Sequence, residues 1–409
     1  MRPKKLSIIC FSWDPWSPMW KMTQQLMWHL ASKRRVEKVL FLNEDLYISN
    51  IIEKLPFYIL NHQMRKKILR ALLGKVQKVE ENVIIYNAVH YVPFIYRSAW
   101  LKKVDAFLMV GMLKRILKKH GFQNVILFIN RIVDEKILDL FDDVILRCFY
   151  WSDDWASFPK ETEKVDEVNS EKKRHISKAI EKILKRVDIV FSVSDYLTNK
   201  AKMYVSKSYW LPNGTDYRNF VRASLDETSL PQDIQNIPKP IIGFVGYITS
   251  TLDFELLDYT AKARPNWSFV FIGPKLPAAS WGEKFFKLPN VHYLGPKPYF
   301  ELPMYMKAFD VCIIPYLNHP SLQAADSNKV YDYLATGKPI VASYNTAGLG
   351  KFKGIIKISG SKEKFVTDIE NSLREKENEK LAKKRQKSAK ENSWEKRADY
   401  MWKKIEALL

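Results

Sequence analysis

Cysteine is scarce: the 409 residues hold only Cys10, Cys148 and Cys312. They lie far apart with no paired spacing, which excludes a disulfide framework and predicts buried thiols in a reducing compartment. Long apolar runs are also missing. No window approaches 18 uncharged apolar residues, so a transmembrane helix is excluded. The run Leu6–Phe11, behind the basic Met1-Arg2-Pro3-Lys4-Lys5, is too short for a secretory signal, and the cytoplasm is the expected location. Acid is in short supply, with 45 Asp/Glu against 66 Lys/Arg and a net charge of +21. The imbalance is uneven, since residues 1–120 hold 22 Lys/Arg and 8 Asp/Glu, an excess of 14. Such an excess suits an anionic partner, whether nucleic acid, anionic lipid or a phosphorylated substrate. A generally basic proteome is the bland alternative.

Apolar material is plentiful. Hydrophobic residues make up 46% of the chain and aromatics 13%, which excludes disorder. The length is too great for one ordinary core and predicts two domains of roughly 200 residues. Short apolar strands alternate with amphipathic helices, so the fold class is α/β, two doubly wound parallel-sheet halves. The first, residues 1–215, starts with the strand Leu6–Ser12, the helix Lys21–Ser32 and the strand Val39–Asn43. A polar, proline-spotted linker is expected over 216–239. The second half follows over 240–385, and a helical end, 386–409, is expected to cross back to the first.

Three stretches of the first half stand out. The loop Trp13–Trp20 follows the first strand, where open α/β sheets bind ligands. Trp13 and Trp16 either clamp a sugar or lipid there or pack beneath the next helix. Residues 65–78 (RKKILRALLGKVQK) hold six basic residues and no acid. Their stripe of Ile68, Leu69, Leu72, Leu73 and Val76 fits a helix lying on an anionic membrane surface, or one packed on the domain core with its lysines in water. Tyr91, Phe94, Tyr96 and Trp100 follow and suit an interfacial surface. Finally, the strand Val144–Trp151 runs into Asp153 and Asp154. Either carboxylate at that sheet edge could act as general base, or simply cap a helix.

In the second half, Asp326–Ser343 (DSNKVYDYLATGKPIVAS) reads as a helix start, a Gly-Lys-Pro stop and a strand. Asp326, Ser327 or Asn328 could cap the helix. Free amides, a positive dipole end and Lys329 make the same place an anion site.

The second half resembles the donor lobe of GT-B glycosyltransferases, most closely family 4. The resemblance rests on Trp210–Asp216 (WLPNGTD), Ile242–Tyr247, Pro265–Pro274 (PNWSFVFIGP), Val291–Gly295, Tyr305–Tyr316 and Lys329–Val341. Val187-Asp188 with Ser194, and Ser393–Arg397, add to it. Residues 1–180 match loosely, nearest to transferases of teichuronic acid and exopolysaccharide assembly.

The resemblance implies two Rossmann-like domains facing across a cleft, and sugar transfer from a nucleotide sugar, a UDP-sugar above all, with no cofactor. It places the donor on Gly246, Tyr247, Lys275, Tyr316, Ser327, Asn328, Lys329 and Asp332, with Asp332 facing the ribose or sugar. No metal is implied, and no Asp-x-Asp occurs in the chain.

Two features depart from the family. Its usual pair of glutamates becomes Ala324 and Asp332, and the basic pair after the first donor-lobe strand becomes ITSTL at 248–252. Lys329 and Lys275 would then supply that charge, and Asp153 as base would make the reaction inverting.

The resulting expectation is a bacterial, peripheral-membrane transferase of the cell envelope, acting on a lipid-linked polysaccharide intermediate. Its partners would be nucleotide-sugar, that glycan acceptor and, through residues 65–78, an anionic membrane, with no nucleic acid. A nucleotide-sugar epimerase of the same fold and a catalytically degenerate binder are the alternatives.

Overall fold

The computed structural model describes residues 5–409 except 44, 55, 57–59, 158–169, 278–281, 320, 321, 323, 346 and 347. The basic residues 1–4 and the side chain of Tyr96, both weighed above, lie outside the described residues.

The first lobe is built on β1 (Leu6–Ser12), β2 (Val36–Leu42), β3 (Leu46–Tyr47), β4 (Gln77–Lys78), β5 (Val83–Tyr86), β6 (Val89–His90), β7 (Val125–Asn130), β8 (Leu146–Trp151), β9 (Ile189–Ser192) and β10 (Ser208–Trp210). Eight of them form one sheet in the order β10-β9-β8-β7-β1-β2-β5-β4, and β3 pairs separately with β6. Every pair in the large sheet is parallel except the short antiparallel pairing of β4 with β5. All seven residues of β1 are buried, as expected for a strand covered by helices on both faces.

The second lobe holds β11 (Ile241–Val245), β12 (Ser268–Ile272), β13 (Val291–Tyr293), β14 (Val311–Ile314), β15 (Ile340–Ala342) and β16 (Lys357–Ile358). They form an all-parallel sheet in the order β13-β12-β11-β14-β15-β16. The order reverses between β11 and β14, and such a switch point opens a crevice at the carboxyl ends of the strands. In the first lobe the equivalent crevice lies between β1 and β7.

Several expectations shift in detail. The basic helix runs His62–Leu72 rather than to 78. Gly74, at φ +62°, takes the left-handed turn that stops it. Its stripe also divides: Ile68 is buried and Leu72 and Val76 half-buried, but Leu69 and Leu73 are exposed. The stretch 216–239, expected as a linker, holds the short helices Tyr217–Phe220 and Gln232–Gln235. Its Phe220, Ala223 and Ile234 are buried in the second lobe's core. The last helix, Trp394–Glu406, buries Trp394, Ala398, Met401, Trp402 and Ile405 in the core of the first lobe. Where the chain crosses back, the amide of Trp394 donates to the carbonyl of Thr215 at 3.0 Å, so the two crossings run side by side.

Candidate functional site

The carboxyl edges of the two sheets meet across a cleft. Lys21, after the loop that follows β1, lies 5.3 Å over the ring of Tyr247, which follows β11. In the same contact Trp20 meets Phe300 at 5.6 Å, and Gln25 donates to the Tyr299 hydroxyl at 3.1 Å.

The floor on the second-lobe side is made by two glycines. Gly246 (φ +139°) and Gly273 (φ +136°) adopt a backbone that side-chain-bearing residues rarely reach. A Cβ on Gly273 would lie 2.2 Å from the carbonyl oxygen of Gly246, so the strand ends approach as closely as backbone allows. Over Gly246 lies Lys329, whose ammonium donates to the Tyr316 hydroxyl at 3.1 Å. The Ser327 hydroxyl is 3.4 Å from the same Tyr316 oxygen.

Ser327 and Lys329 stand at the start of the helix Asn328–Thr336, which receives no side-chain cap from Ser327. Ser327 occupies the cap position without filling it, and Asn328 Oδ1 is buried with no hydrogen-bond partner among the described residues. Unfilled amides, one ammonium and a glycine floor form a cradle for a phosphoryl group.

Two expected donor residues, Lys275 and Asp332, and the cap candidate Asp326 make the following contacts. Lys275 is exposed and packs its ammonium 4.8 Å over the Phe286 ring, while its backbone bridges Ile248 just beyond Gly246. Asp332 accepts from the Thr215 hydroxyl at 2.7 Å, beside the crossing. Burial pushes its carboxyl up to about 8, against the opposing Thr215 hydrogen bond. Ser327, not Asp326, holds the cap position of the helix. The buried carboxylate of Asp326 accepts from the Asn213 amide (2.6 Å), the Tyr331 hydroxyl (2.8 Å) and the Lys351 ammonium (2.6 Å). Burial pulls the Lys351 ammonium down while Asp326 holds it up. Sequence reasoning missed Lys351 and the hub role of Asp326. The Asn-Gly of Trp210–Asp216 was visible, but nothing in the chain order pairs Asn213 with Asp326.

The two adjacent carboxylates of the first lobe separate. Asp154 is buried and accepts from the Ser157 hydroxyl at 2.8 Å, which organises the turn after β8. Asp153 is half-buried, and burial together with the charges of Asp14, Asp326 and Asp154 pushes its carboxyl up to about 7. Of the pair, Asp153 is the one poised to exchange a proton near neutral pH. Trp13 is 63% exposed and stacks on Trp155 at 6.4 Å, so one face stays open to a ligand. Trp16 instead packs edge-on against Phe41 at 5.1 Å.

A further polar cluster gave no signal in the sequence. His90 Nδ1 meets Asp105 Oδ2 at 2.5 Å, and its ring stacks on Tyr47 at 4.2 Å. Asp45, beside it, takes a 2.8 Å bond from Arg131. The partners come from four separate segments. Burial alone would pull the imidazole down, but the two carboxylates outweigh it and lift it to about 9.

The chain is similar to known glycosyltransferases. Residues 239–375 match the family described as Glycosyl transferases group 1. TuaH of Bacillus subtilis (strain 168), named as a glycosyltransferase of teichuronic acid biosynthesis, is 31% identical over 209 residues. That match covers 49% of this chain and 50% of TuaH, so the chain spans about half the length of this curated relative. HepE of Anabaena, solved in complex with UDP, superposes with a TM-score of 0.62 at 11% identity, over 98% of this chain and 100% of HepE. Sucrose-phosphate synthase of Thermosynechococcus elongatus gives a TM-score of 0.65 at 15% identity, over 99% of both chains. At such identities the likeness establishes the fold. This chain has the GT-B fold, and its residues 239–375 match the Glycosyl transferases group 1 family.

Proposed function

We propose that the protein is a glycosyltransferase that moves a sugar from a nucleotide sugar to a hydroxyl of a lipid-linked polysaccharide intermediate. One observation carries the reading: Lys329 and the uncapped start of Asn328–Thr336 converge over Gly246, at the switch point of the donor-lobe sheet. A diphosphate leaving group gains charge as its bond to the sugar breaks. Preorganised amides and an ammonium answer that charge without reorganising. A UDP-sugar is the expected donor, since HepE was solved with UDP and with UDP-glucose.

In this reaction the acceptor oxygen bonds to the anomeric carbon as the carbon–phosphate-oxygen bond breaks. The acceptor proton passes to Asp153, and the nucleoside diphosphate departs against Lys329. The place of the family's first glutamate is taken by Ala324, buried in the first lobe's core, so no carboxylate stands there for a retaining reaction. That favours inversion with Asp153 as base. Exposed Phe94, Trp100 and Phe107 beside basic residues give the first lobe a surface suited to a membrane interface. No helix among the described residues is long and apolar enough to cross a membrane.

The test is product formation from UDP-glucose, UDP-N-acetylglucosamine and UDP-glucuronate with polyprenyl-diphosphate saccharides as acceptors. Acceptor-dependent UDP release that disappears in Asp153→Asn supports the reading. Acceptor-independent conversion of the sugar nucleotide contradicts it.

A further inference from the structure

A cavity of about 420 Å³ lies in the first lobe, where the helix His62–Leu72 meets the carboxyl ends of β2 and β5. The Tyr86 hydroxyl at the end of β5 donates to the Ala71 carbonyl at 3.0 Å and fixes the helix there. Lys66, Lys67, Arg70 and Lys75 line the cavity, with Trp16 and Asn43 from the loops after β1 and β2. No aspartate or glutamate lines it among the described residues. Lys66, Arg70 and Lys75 are exposed and form no ion pair among those residues.

Cations gathered around one cavity without an acid repel one another, and the arrangement is relieved by a multiply charged anion. A diphosphate supplies that charge in a compact form. The same helix exposes Leu69 and its C-cap residue Leu73, at 58% and 57%, which offers an apolar track beside the charged head. The cavity also shares the edge of the sheet that faces the donor. Trp16 is three residues from Met19, which the Tyr247 hydroxyl of the second lobe approaches at 3.9 Å.

We propose that this cavity binds the diphosphate head of an apolar-tailed acceptor, with Lys66, Arg70 and Lys75 as the phosphate ligands and Trp16 as a wall. The proposal rests on the reading of the first lobe as the acceptor side. It replaces a flat membrane-facing stripe over residues 65–78 with a defined anion site.

Calorimetric titration of the full chain with farnesyl diphosphate, inorganic pyrophosphate and farnesol tests it. Wild type is expected to bind farnesyl diphosphate more tightly than pyrophosphate, and farnesol not measurably. The triple variant Lys66→Ala/Arg70→Ala/Lys75→Ala, which changes only exposed side chains, is expected to lose at least about tenfold in farnesyl diphosphate affinity. Equal binding by wild type and variant, or no binding by wild type, overturns the proposal. Sedimentation with phosphatidylglycerol vesicles separates the sources. If the variant loses vesicle binding and keeps farnesyl diphosphate binding, the charge serves the membrane surface and the proposal fails. UDP binding is measured in both proteins. Unchanged UDP binding with lost farnesyl diphosphate binding supports the cavity, whereas parallel loss of both overturns it as a general charge effect. Absence of UDP binding in wild type strikes the donor reading alone.

Discussion

Lys329 and Gly246 fit each other so closely that a single methyl group would separate them. A Cβ on Gly246 would lie 2.1 Å from Cε of Lys329 and 2.7 Å from its Nζ. The glycine therefore both permits the φ of +139° and leaves room for the ammonium.

Gly246→Ala is expected to displace Lys329 and to cost about 1–3 kcal/mol through backbone strain. Thermal melting with and without UDP checks both effects. A variant that melts slightly lower and no longer responds to UDP fits the account, and one that responds as wild type does not.

The fold was largely legible because β11, β12, β14 and β15 are short, continuous apolar runs, as strands buried on both faces must be. Two-residue strands such as β3 and β6 left no periodicity to read. The stretch 216–239 looked like a linker because its prolines and polar residues outnumber the apolar ones. Yet Phe220 and Ile234 anchor it in the second core. At the site, Lys329 and Gly246 could be named in advance because helix start and strand end are local signals. Asp326 could not be assigned, because its carboxylate is defined by Asn213 and Lys351, 113 residues before and 25 after it. The separation of Asp153 from Asp154 is likewise decided by Ser157 and by distant carboxylates, which chain order does not reveal.

If Asp153, pushed up to about 7, is the base proposed above, it is expected to set a pH dependence for turnover. A base works only when ionised, so activity is expected to fall as pH drops below about 7 and to level off above it. Asp153→Asn is expected to lower kcat by about 10²–10⁴ and to flatten that limb. A pH–rate profile of both proteins under saturating donor reads the outcome. An unchanged acid limb in the variant removes Asp153 from the chemistry.

His90 sets a pH dependence for stability. Its folded value of about 9 exceeds the unfolded value of 6.5, so its contribution is complete below the unfolded value and lost as pH rises through the folded one. Asp105→Asn removes the closest carboxylate of a buried pair and is expected to cost about 3 kcal/mol at pH 7. The gap between wild type and variant should narrow between pH 7 and 10 in denaturant melts. A gap independent of pH would show that the imidazole is not held charged by Asp105.

A nucleoside diphosphate held through Lys329 is the expected ligand of the cradle over Gly246. The most direct measurement is the thermal shift given by UDP, GDP, CMP and dTDP on wild type and on Lys329→Ala. A ligand that binds only the folded state stabilises it by about 2.7 kcal/mol at one hundred times its dissociation constant, which melting resolves. The account predicts a clear shift with UDP in wild type and its loss in Lys329→Ala. No shift with any of the four nucleotides, or an equal UDP shift in both proteins, would contradict it.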